Sequence, residues 1–437
     1  MKTKLFLLIL VGVLIFSACQ ANPAAPTQAA PTQAAPAATN PPAATPVEIT
    51  YMMWGAPEEL QVWQAIVDDF QAANPNIKVN VDVSDWDSYW TKLNTLFAGG
   101  TPPDVFAMDA PLYLDWQSRG VLLNLQPYIK PGFFESFYPQ TLQAYKVSDG
   151  YYGLPRDFQT IAVFYNKEMF DAAKVPYPSP DWTMADLRAT AKKLTLDTNG
   201  DGKIDQYGFH TDLWDMELFW SEAIWANGGS IISDDHIKTL IGEPAARTAW
   251  EFIDSMVKDG TLPGPTTAEQ YGGDLFQAKV AAMTTIGHWA VPGYVQAGIK
   301  IGVAPIPKGS AGNATSVNSA GFVISKSSKN PDAAWKFVEF ALSEAGQTRL
   351  AQLGFAIPVL KKIAESDAYL KQPGDLDQKL FLDALQYAHT KPVFKGYEEW
   401  AGVVGDGLRP VWDAEAELGP TLDEVVKAAD EVLANNK

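Results

Sequence analysis

Val47-Glu-Ile-Thr-Tyr-Met-Met-Trp54, followed by Gly55 and Pro57, and further on Ile77-Lys-Val-Asn-Val-Asp-Val83 and Pro103-Asp-Val-Phe-Ala-Met108, decide the fold. The first run is β-branched and aromatic and ends at a glycine, which predicts a strand. Pro57 suits the first position of a helix, and Leu60, Trp63, Val67 and Phe70 recur on one face of it. Asn74-Pro75 stops that helix. Ile77 to Val83 alternates apolar and polar residues, a second strand. A second helix carries Trp86, Tyr89, Leu93 and Leu96 and stops at Gly99-Gly100. The β-α-β-α-β alternation predicts a parallel sheet with flanking helices. Ligands of such sheets sit beyond the strand C-termini. Here those ends carry Trp54-Gly55, Val83 to Trp86, and Met108-Asp109.

The segment ahead of this body has another purpose. Lys2 and Lys4 precede an apolar run from Leu5 to Phe16, and Ser17-Ala18-Cys19 follows. The layout resembles a bacterial lipoprotein signal, residues 1–18, with Cys19 as the lipidated residue. The alternatives are an ordinary secretory signal with an incidental cysteine, or an uncleaved helix; the run is short of the about 20 apolar residues a bilayer needs. Residues 19–46 are rich in Pro, Ala, Thr and Gln and hold neither a charge nor a large apolar side chain. They cannot bury a core and read as a disordered tether. The globular body starts at Val47.

Composition narrows the function classes. The formal net charge is −18, which argues against nucleic acid and against an anionic membrane surface as partners. Cys19 is the single cysteine, so the body has no disulfide, thiol nucleophile or zinc–thiolate site. No nucleophile elbow, His-Glu-x-x-His or Walker loop is present. Thr183-Met-Ala-Asp186 reads as a capping box opening a helix through Leu194. Pro244 opens another helix, and Asn330-Pro331 caps a third.

Asp197-Thr-Asn199-Gly-Asp201-Gly-Lys203-Ile-Asp205 reproduces the first nine positions of an EF-hand loop, with Lys203 contributing its backbone carbonyl. The twelfth position is Gly208, where a bidentate Glu belongs. A structural Ca²⁺ binds here if another acidic group folds in; the other reading is an Asp/Asn/Gly-rich turn held by side-chain-to-backbone bonds. No cofactor is required.

An ordered series of blocks carries a family resemblance: Gly100-Thr-Pro-Pro-Asp-Val-Phe106, Tyr152-Gly-Leu-Pro155, Phe164-Tyr-Asn-Lys-Glu-Met-Phe170, Ala226-Asn-Gly-Gly229, Ala281-Ala-Met283 with Gly287-His-Trp289, Gly302-Val-Ala-Pro-Ile-Pro307 and Gly321-Phe-Val-Ile-Ser325. In this order and spacing they resemble the family 1 extracellular solute-binding proteins of bacterial ABC importers, the maltose- and oligosaccharide-binding group. The resemblance implies an α/β, two-lobed periplasmic-binding-protein fold. Each lobe is expected to be a mainly parallel sheet flanked by helices, with the ligand cleft between lobes. Carried over by block position, the chain crosses between lobes near Asp157 to Ile161, near Ser316 to Gly321 and within Gln372 to Leu380. Lobe 1 is then 47–158 plus 321–376, and lobe 2 is 159–320 plus 377–437.

The resemblance also implies a site. Trp289 matches the stacking tryptophan of the maltose-binding pattern. Glu217 and Trp220 fall in a second contacting segment, Trp214 to Trp220. Gln159 stands where maltose binders carry a ligand-contacting Glu, which places maltose itself in doubt. Tyr397 and Trp400 match a late aromatic contact region, and Trp54, Met108 and Asp109 complete the rim of the first lobe. Flat aromatic faces stack on sugar C–H faces, while carboxylates and amides grip the hydroxyls. Against each aromatic stands the commoner fate of a large ring, burial in the core.

The expected function is a membrane-anchored, extracytoplasmic, monomeric protein that captures a carbohydrate and passes it to an ABC permease; it is not an enzyme. The alternatives are a non-sugar ligand such as a glycerophosphodiester or polyamine, with Arg156 the basic residue able to meet a phosphate, and a secreted carbohydrate-active enzyme needing two placed carboxylates.

Overall fold

The computed structural model describes residues 46–148, 150–372 and 376–436. The leader, Cys19 and the tether up to residue 45 lie outside the described residues. No helix among the described residues is long and apolar enough to cross a membrane.

The N-terminal alternation forms as its residues dictate. Strand β1 (Val47–Trp54) leads into helix α1 (Pro57–Ala73), then β2 (Ile77–Ser84), α2 (Trp86–Ala98) and β3 (Val105–Asp109). Helix α1 starts with Pro57 and buries Val62, Trp63, Ile66, Val67 and Phe70; Asn74 closes it by donating its side-chain amide to the Phe70 carbonyl, 3.0 Å. Asp85 caps α2 by accepting from the Ser88 amide, 3.0 Å. Tyr89, Trp90 and Leu93 are its buried face. Trp86, expected on that face, is exposed at the helix start.

The remaining strands are β4 (Lys146–Val147), β5 (Gly150–Tyr151), β6 (Gly153–Pro155), β7 (Gln159–Thr160), β8 (Ala162–Asn166), β9 (Met283–Ile286), β10 (Ile301–Ala304), β11 (Thr315–Asn318), β12 (Ala320–Ile324) and β13 (Ala388–Thr390). The first large sheet has the order β2-β1-β3-β12-β6. Its β1–β2 and β1–β3 pairs are parallel, as the alternation requires, while β12 runs antiparallel to both β3 and β6. The second sheet, β10-β8-β9, corrects the expected mainly parallel arrangement: β8 is antiparallel to both neighbours. Parallel pairing there is confined to the bridges Tyr207–Ala281 and His210–Thr284. The physical reason is that β8, entered straight from the crossing strand β7, inserts between β9 and β10, which the helix Val291–Gln296 joins and which run parallel to each other on either side of it.

A third, small sheet joins the two. It has the order β13-β11-β7, with β11 antiparallel to β7 and parallel to β13. Strand β7 lies between β6 of the first sheet and β8 of the second, and β11 runs directly into β12. Two of the expected crossing segments are thus neighbouring strands, tied further by the Ile161 amide donating to Thr315 Oγ1, 3.0 Å. Of the third expected segment, Gln372 to Leu380, residues 373–375 lie outside the described residues. After it, Thr160 Oγ1 donates to the Phe381 carbonyl, 2.9 Å.

Other local expectations hold in detail. Thr183 and Asp186 form a reciprocal capping box on the helix Met184–Leu194. Pro244–Lys258 and Pro331–Ala341 are helices; Asn330 does not cap the latter with its side chain, which donates to the Glu48 carbonyl.

Candidate ligand-binding site

The ends of β3 and β11, the segment after β13 and a 3₁₀ turn, Met216–Leu218, meet beside the small sheet. Asp109, last residue of β3, is buried and accepts from Asn318 Nδ2 at 2.8 Å. Asn318 pairs in register with Gln159 on β7. Gln159 is buried and its Oε1 has no hydrogen-bond partner. Lys391 sits in the middle. Its Nζ lies 3.3 Å from Asp215 Oδ1 and 3.4 Å from Glu217 Oε2, and 5.9 Å from the ring centroid of Tyr397. The Glu217 contact lacks hydrogen-bond geometry, so that oxygen stays unsatisfied.

The electrostatics follow from gathering three acids, Asp109 and Glu217 buried and Asp215 half-buried, around one buried base. Burial alone would lower the Lys391 pKa, but Asp215, Glu217, Tyr397 and Asp109 push it well above the ordinary lysine range. Burial pushes the Glu217 carboxyl up to about 8; Lys391 opposes this, and Asp215 and Asp109 reinforce it. Asp109 is likewise raised by burial, with Lys391 and the Asn318 bond opposing. Nearby, Glu222 is buried against β11. Its Oε1 accepts from the Ser316 amide at 3.0 Å and from Ser316 Oγ, and burial raises it to about 7.

A cavity of about 390 Å³ flanks the cluster and shares Asn318 and Lys391 with it; Trp225, stacked 4.7 Å from His389, forms part of its wall. Trp54, Trp86, Trp214 and Trp289 do not line it. Trp54, Trp86 and Trp289 follow or end the strands β1, β2 and β9, and Trp214 donates Nε1 to Asp406 Oδ1, 3.0 Å. Trp54, half-buried at the end of β1, meets Trp86 edge-on at 5.0 Å, and the Arg156 guanidinium lies 5.5 Å from its ring. Trp289 is half-buried in the turn His288–Ala290, right after β9. The next helix, Val291–Gln296, packs against α1. His288 itself is buried, with Nε2 2.7 Å from Gln378 Oε1, a structural position.

The residues expected from the sequence therefore separate. Asp109, Gln159, Glu217 and Tyr397 come together, and Trp54 and Trp289 keep open ring surface. Three others are placed in the core. Met108 is fully buried, and its carbonyl accepts from Tyr145 Oη at 3.1 Å. Trp220 packs on Trp250 at 5.1 Å. Trp400 has no exposed surface and donates Nε1 to Thr239 Oγ1, 2.9 Å. A ring closed in on both faces cannot stack on a ligand. Missed by the sequence were Lys391, Asp215 and Asn318, because a lone lysine in Thr390-Lys-Pro392 carries no signal of burial.

The Asp197–Asp205 segment is folded as a turn. Asp197 accepts from the amides of Gly200 and Gly202 at 2.6 and 2.7 Å, Asn199 from Asp201 and Asp201 from Lys203, both at 2.8 Å. Asp205 accepts from Thr198. The acceptors that a Ca²⁺ would need are aimed at backbone N–H groups. No group of three or more His, Cys, Asp or Glu side chains among the described residues converges to hold a metal. As folded, the loop does not fit the ion. Asp197→Ala is expected to lower the melting temperature, at a cost of about 0.5–1.5 kcal/mol for the lost hydrogen bonds of a water-exposed turn, whereas EDTA should leave it unchanged. A clear drop in melting temperature with EDTA would restore the calcium reading.

The model of the bacterial extracellular solute-binding protein family matches residues 56–348. The chain belongs to this family. A putative binding protein of Brucella abortus is 30% identical over 372 residues, covering 83% of this chain and 88% of that protein. The maltotriose-binding protein of Pyrococcus abyssi is 25% identical, over 80% of this chain and 74% of its own length. In structure, an ABC substrate-binding protein of Listeria monocytogenes in complex with cycloalternan superposes with a TM-score of 0.80 at 27% identity, over 89% of this chain and 99% of that one. The two-lobed α/β class is the fold of this solute-binding protein.

Proposed function

We propose that this solute-binding protein captures a carbohydrate outside the cytoplasm and hands it to an ABC permease, as a monomer anchored to the membrane through lipidated Cys19. The reading divides it into lobes 47–158 plus 321–376 and 159–320 plus 377–437, hinged at the small sheet. One observation carries the ligand class: half-open tryptophan faces, Trp54 and Trp289, accompany a cluster of hydrogen-bonding groups, Asp109, Gln159, Asn318 and Glu217, on the strand-end side of the sheet junction. That pairing of apolar ring faces with directional polar groups is what a pyranose requires. The names of the Pyrococcus and Listeria relatives point the same way.

The alternatives lose support. A phosphate-bearing ligand needs a free cation. Arg156 is buried, with Nε 2.9 Å from Asp157 Oδ2 and Nη1 2.8 Å from Tyr51 Oη, and Lys391 is already outnumbered by carboxylates. A glycosidase needs its two carboxylates on either side of the scissile bond. Asp215 and Glu217 instead share one ammonium.

A thermal-shift panel of sugars tests the reading: at about 100 times its Kd a ligand stabilises the folded state by about 2.7 kcal/mol, with the sugar recovered intact. Trp289→Ala is expected to weaken the best sugar about thirtyfold, measured by calorimetry, and to leave the ligand-free melting temperature unmoved. Unchanged affinity removes Trp289 from the site, and no stabilisation by any sugar removes the carbohydrate reading.

A further inference from the structure

Gly287, between β9 and the turn His288–Ala290, has φ −88° and ψ 175°, an extended backbone that any residue adopts. Conformation therefore does not require glycine there. Space does. A Cβ built on Gly287 would stand 1.7 Å from Cζ3 of Trp289, 2.2 Å from Cε3 and 2.6 Å from Cη2. These three nearest atoms all belong to the benzo edge of one indole, two residues further on. Gly287 is buried, and the Trp289 indole lies on its bare main chain.

The main chain beneath the indole is fixed. The Ala290 amide donates to the Gly287 carbonyl at 3.3 Å and closes the turn. His288, the residue between, is buried; its Nε2 stands 2.7 Å from Gln378 Oε1 and its Nδ1 3.4 Å from the Phe355 carbonyl oxygen. The His288 ring also meets Tyr369 at 5.5 Å and Phe381 at 5.1 Å. A turn anchored in this way leaves the indole as the part able to move. Trp54, the other half-buried ring of the site, is braced differently, by the rings of Trp86, Tyr89 and Trp90.

We propose that Gly287 is the positioning residue of the Trp289 platform: with no side chain at 287, the indole lies back against the main chain, and this sets the height and tilt of the face offered to a sugar ring. The proposal rests on the carbohydrate reading above. A stacked face is effective only at contact distance, because a gap of about 0.5–1 Å forfeits a quarter to a half of the dispersion attraction. An alanine methyl group would have to drive the ring from 1.7 Å out to about 3.5 Å, a larger displacement than that.

The test is a double-mutant cycle. The parent, Gly287→Ala, Trp289→Ala and the double variant are titrated by calorimetry with whichever of glucose, maltose, maltotriose, mannotriose and galactotriose the parent binds best. Gly287→Ala should weaken that sugar at least about tenfold. In the Trp289→Ala background the same substitution should change affinity by less than about twofold, because no indole is left to displace. The ligand-free melting temperature of Gly287→Ala should stay near the parent's. If that variant does not fold, the double variant decides: recovery of folding once the indole is removed supports the seat, and continued failure overturns it. Without any sugar, limited oxidation by N-bromosuccinimide, read by peptide mass spectrometry, should mark Trp289 faster in Gly287→Ala than in the parent, with the exposed Trp86 and Trp214 as references. Parental affinity in a folded Gly287→Ala, an equal loss in both backgrounds, or an unchanged oxidation rate overturns the proposal while the carbohydrate reading stands. A parent that binds none of these sugars overturns the carbohydrate reading and the role of Gly287 in binding, and the oxidation rates then decide whether Gly287 seats the indole.

Discussion

Replacing Arg156 with leucine is expected to cost about 3–5 kcal/mol of folding stability. Arg156 is 1% exposed and Asp157 is fully buried. The guanidinium reaches Asp157 Oδ2 and Tyr51 Oη, and its carbon lies 4.8 Å from the Trp63 ring centroid. Burial works against the charge of the guanidinium, but Tyr51 and Asp157 more than offset it, so Arg156 stays charged. The acid fares worse: burial raises Asp157 in spite of Arg156, and its Oδ1 has no partner at all. Leucine would fill much of the volume and remove the only cation, leaving Asp157 to ionise alone in the core. Urea unfolding at pH 8, without ligand, measures the loss as a shift of the midpoint at constant slope. Two controls separate lost charge from lost packing. The double variant Arg156→Leu/Asp157→Leu should regain most of the stability, since an apolar pair can replace a buried ion pair. The single variant should also lose less at pH 5, where Asp157 takes up a proton more readily. A midpoint within error of the parent would mean that the pair contributes nothing, and that the cation is there only to support Trp54.

The first half of the first sheet was legible because periodicity names both the element and its buried face there. Val62, Trp63, Ile66, Val67 and Phe70 recur as a helix requires, and β1 to β3 alternate with helices. Strand direction in the second sheet was not legible. Strands of four or five residues such as Met283–Ile286 and Ala162–Asn166 are buried along almost their whole length, and a buried run has no alternation to read and no stated direction. The site divides in the same way. Asp109 could be placed because it ends a recognisable strand. Trp220, Trp400, Trp86 and Trp214 are chemically identical in the sequence, and only the fold distributes them, two to the core and two to the surface. Lys391 was out of reach for a simpler reason: its partner Asp215 is 176 residues away. The charge deficit that makes Lys391 necessary exists only after the strand ends and turns have met.

Lys391→Met is expected to destabilise the protein by about 3–5 kcal/mol at pH 8 and by clearly less at pH 5, and the sign comes from Glu217. In the folded state its pKa is about 8, against an ordinary glutamate value of 4.5 in the unfolded chain. Between those two values the folded protein holds a proton that the unfolded chain has released. Its stabilising contribution is therefore complete below about pH 4.5 and is lost as pH rises through about 8, at up to about 1.4 kcal/mol per pH unit for one proton. Lys391 limits that loss, because its ammonium is what makes the Glu217 and Asp109 carboxylates tolerable when they ionise. Without it both acids must be raised further, so the decline of stability extends to higher pH and steepens relative to the parent. Glu222 and Glu59, each raised to about 7 by burial, contribute a fall of the same sign. Glu217→Gln separates them: it should flatten the parent's profile between pH 6 and 9 and reduce the penalty of Lys391→Met when the two are combined. Urea midpoints at pH 5, 7 and 8 for the parent, both single variants and the double variant give the comparison. A Lys391→Met penalty that is the same at pH 5 and pH 8 would show that the lysine is held for its methylene packing and not for its charge. A penalty confined to the alkaline side, and relieved by Glu217→Gln, would identify a polar site whose neutral form is stable on its own and whose ionised form depends on one buried ammonium. Such a site can offer Glu217 to a sugar hydroxyl as a donor at neutral pH and as an acceptor above it, so affinity for an uncharged ligand should change through the same pH window as stability does.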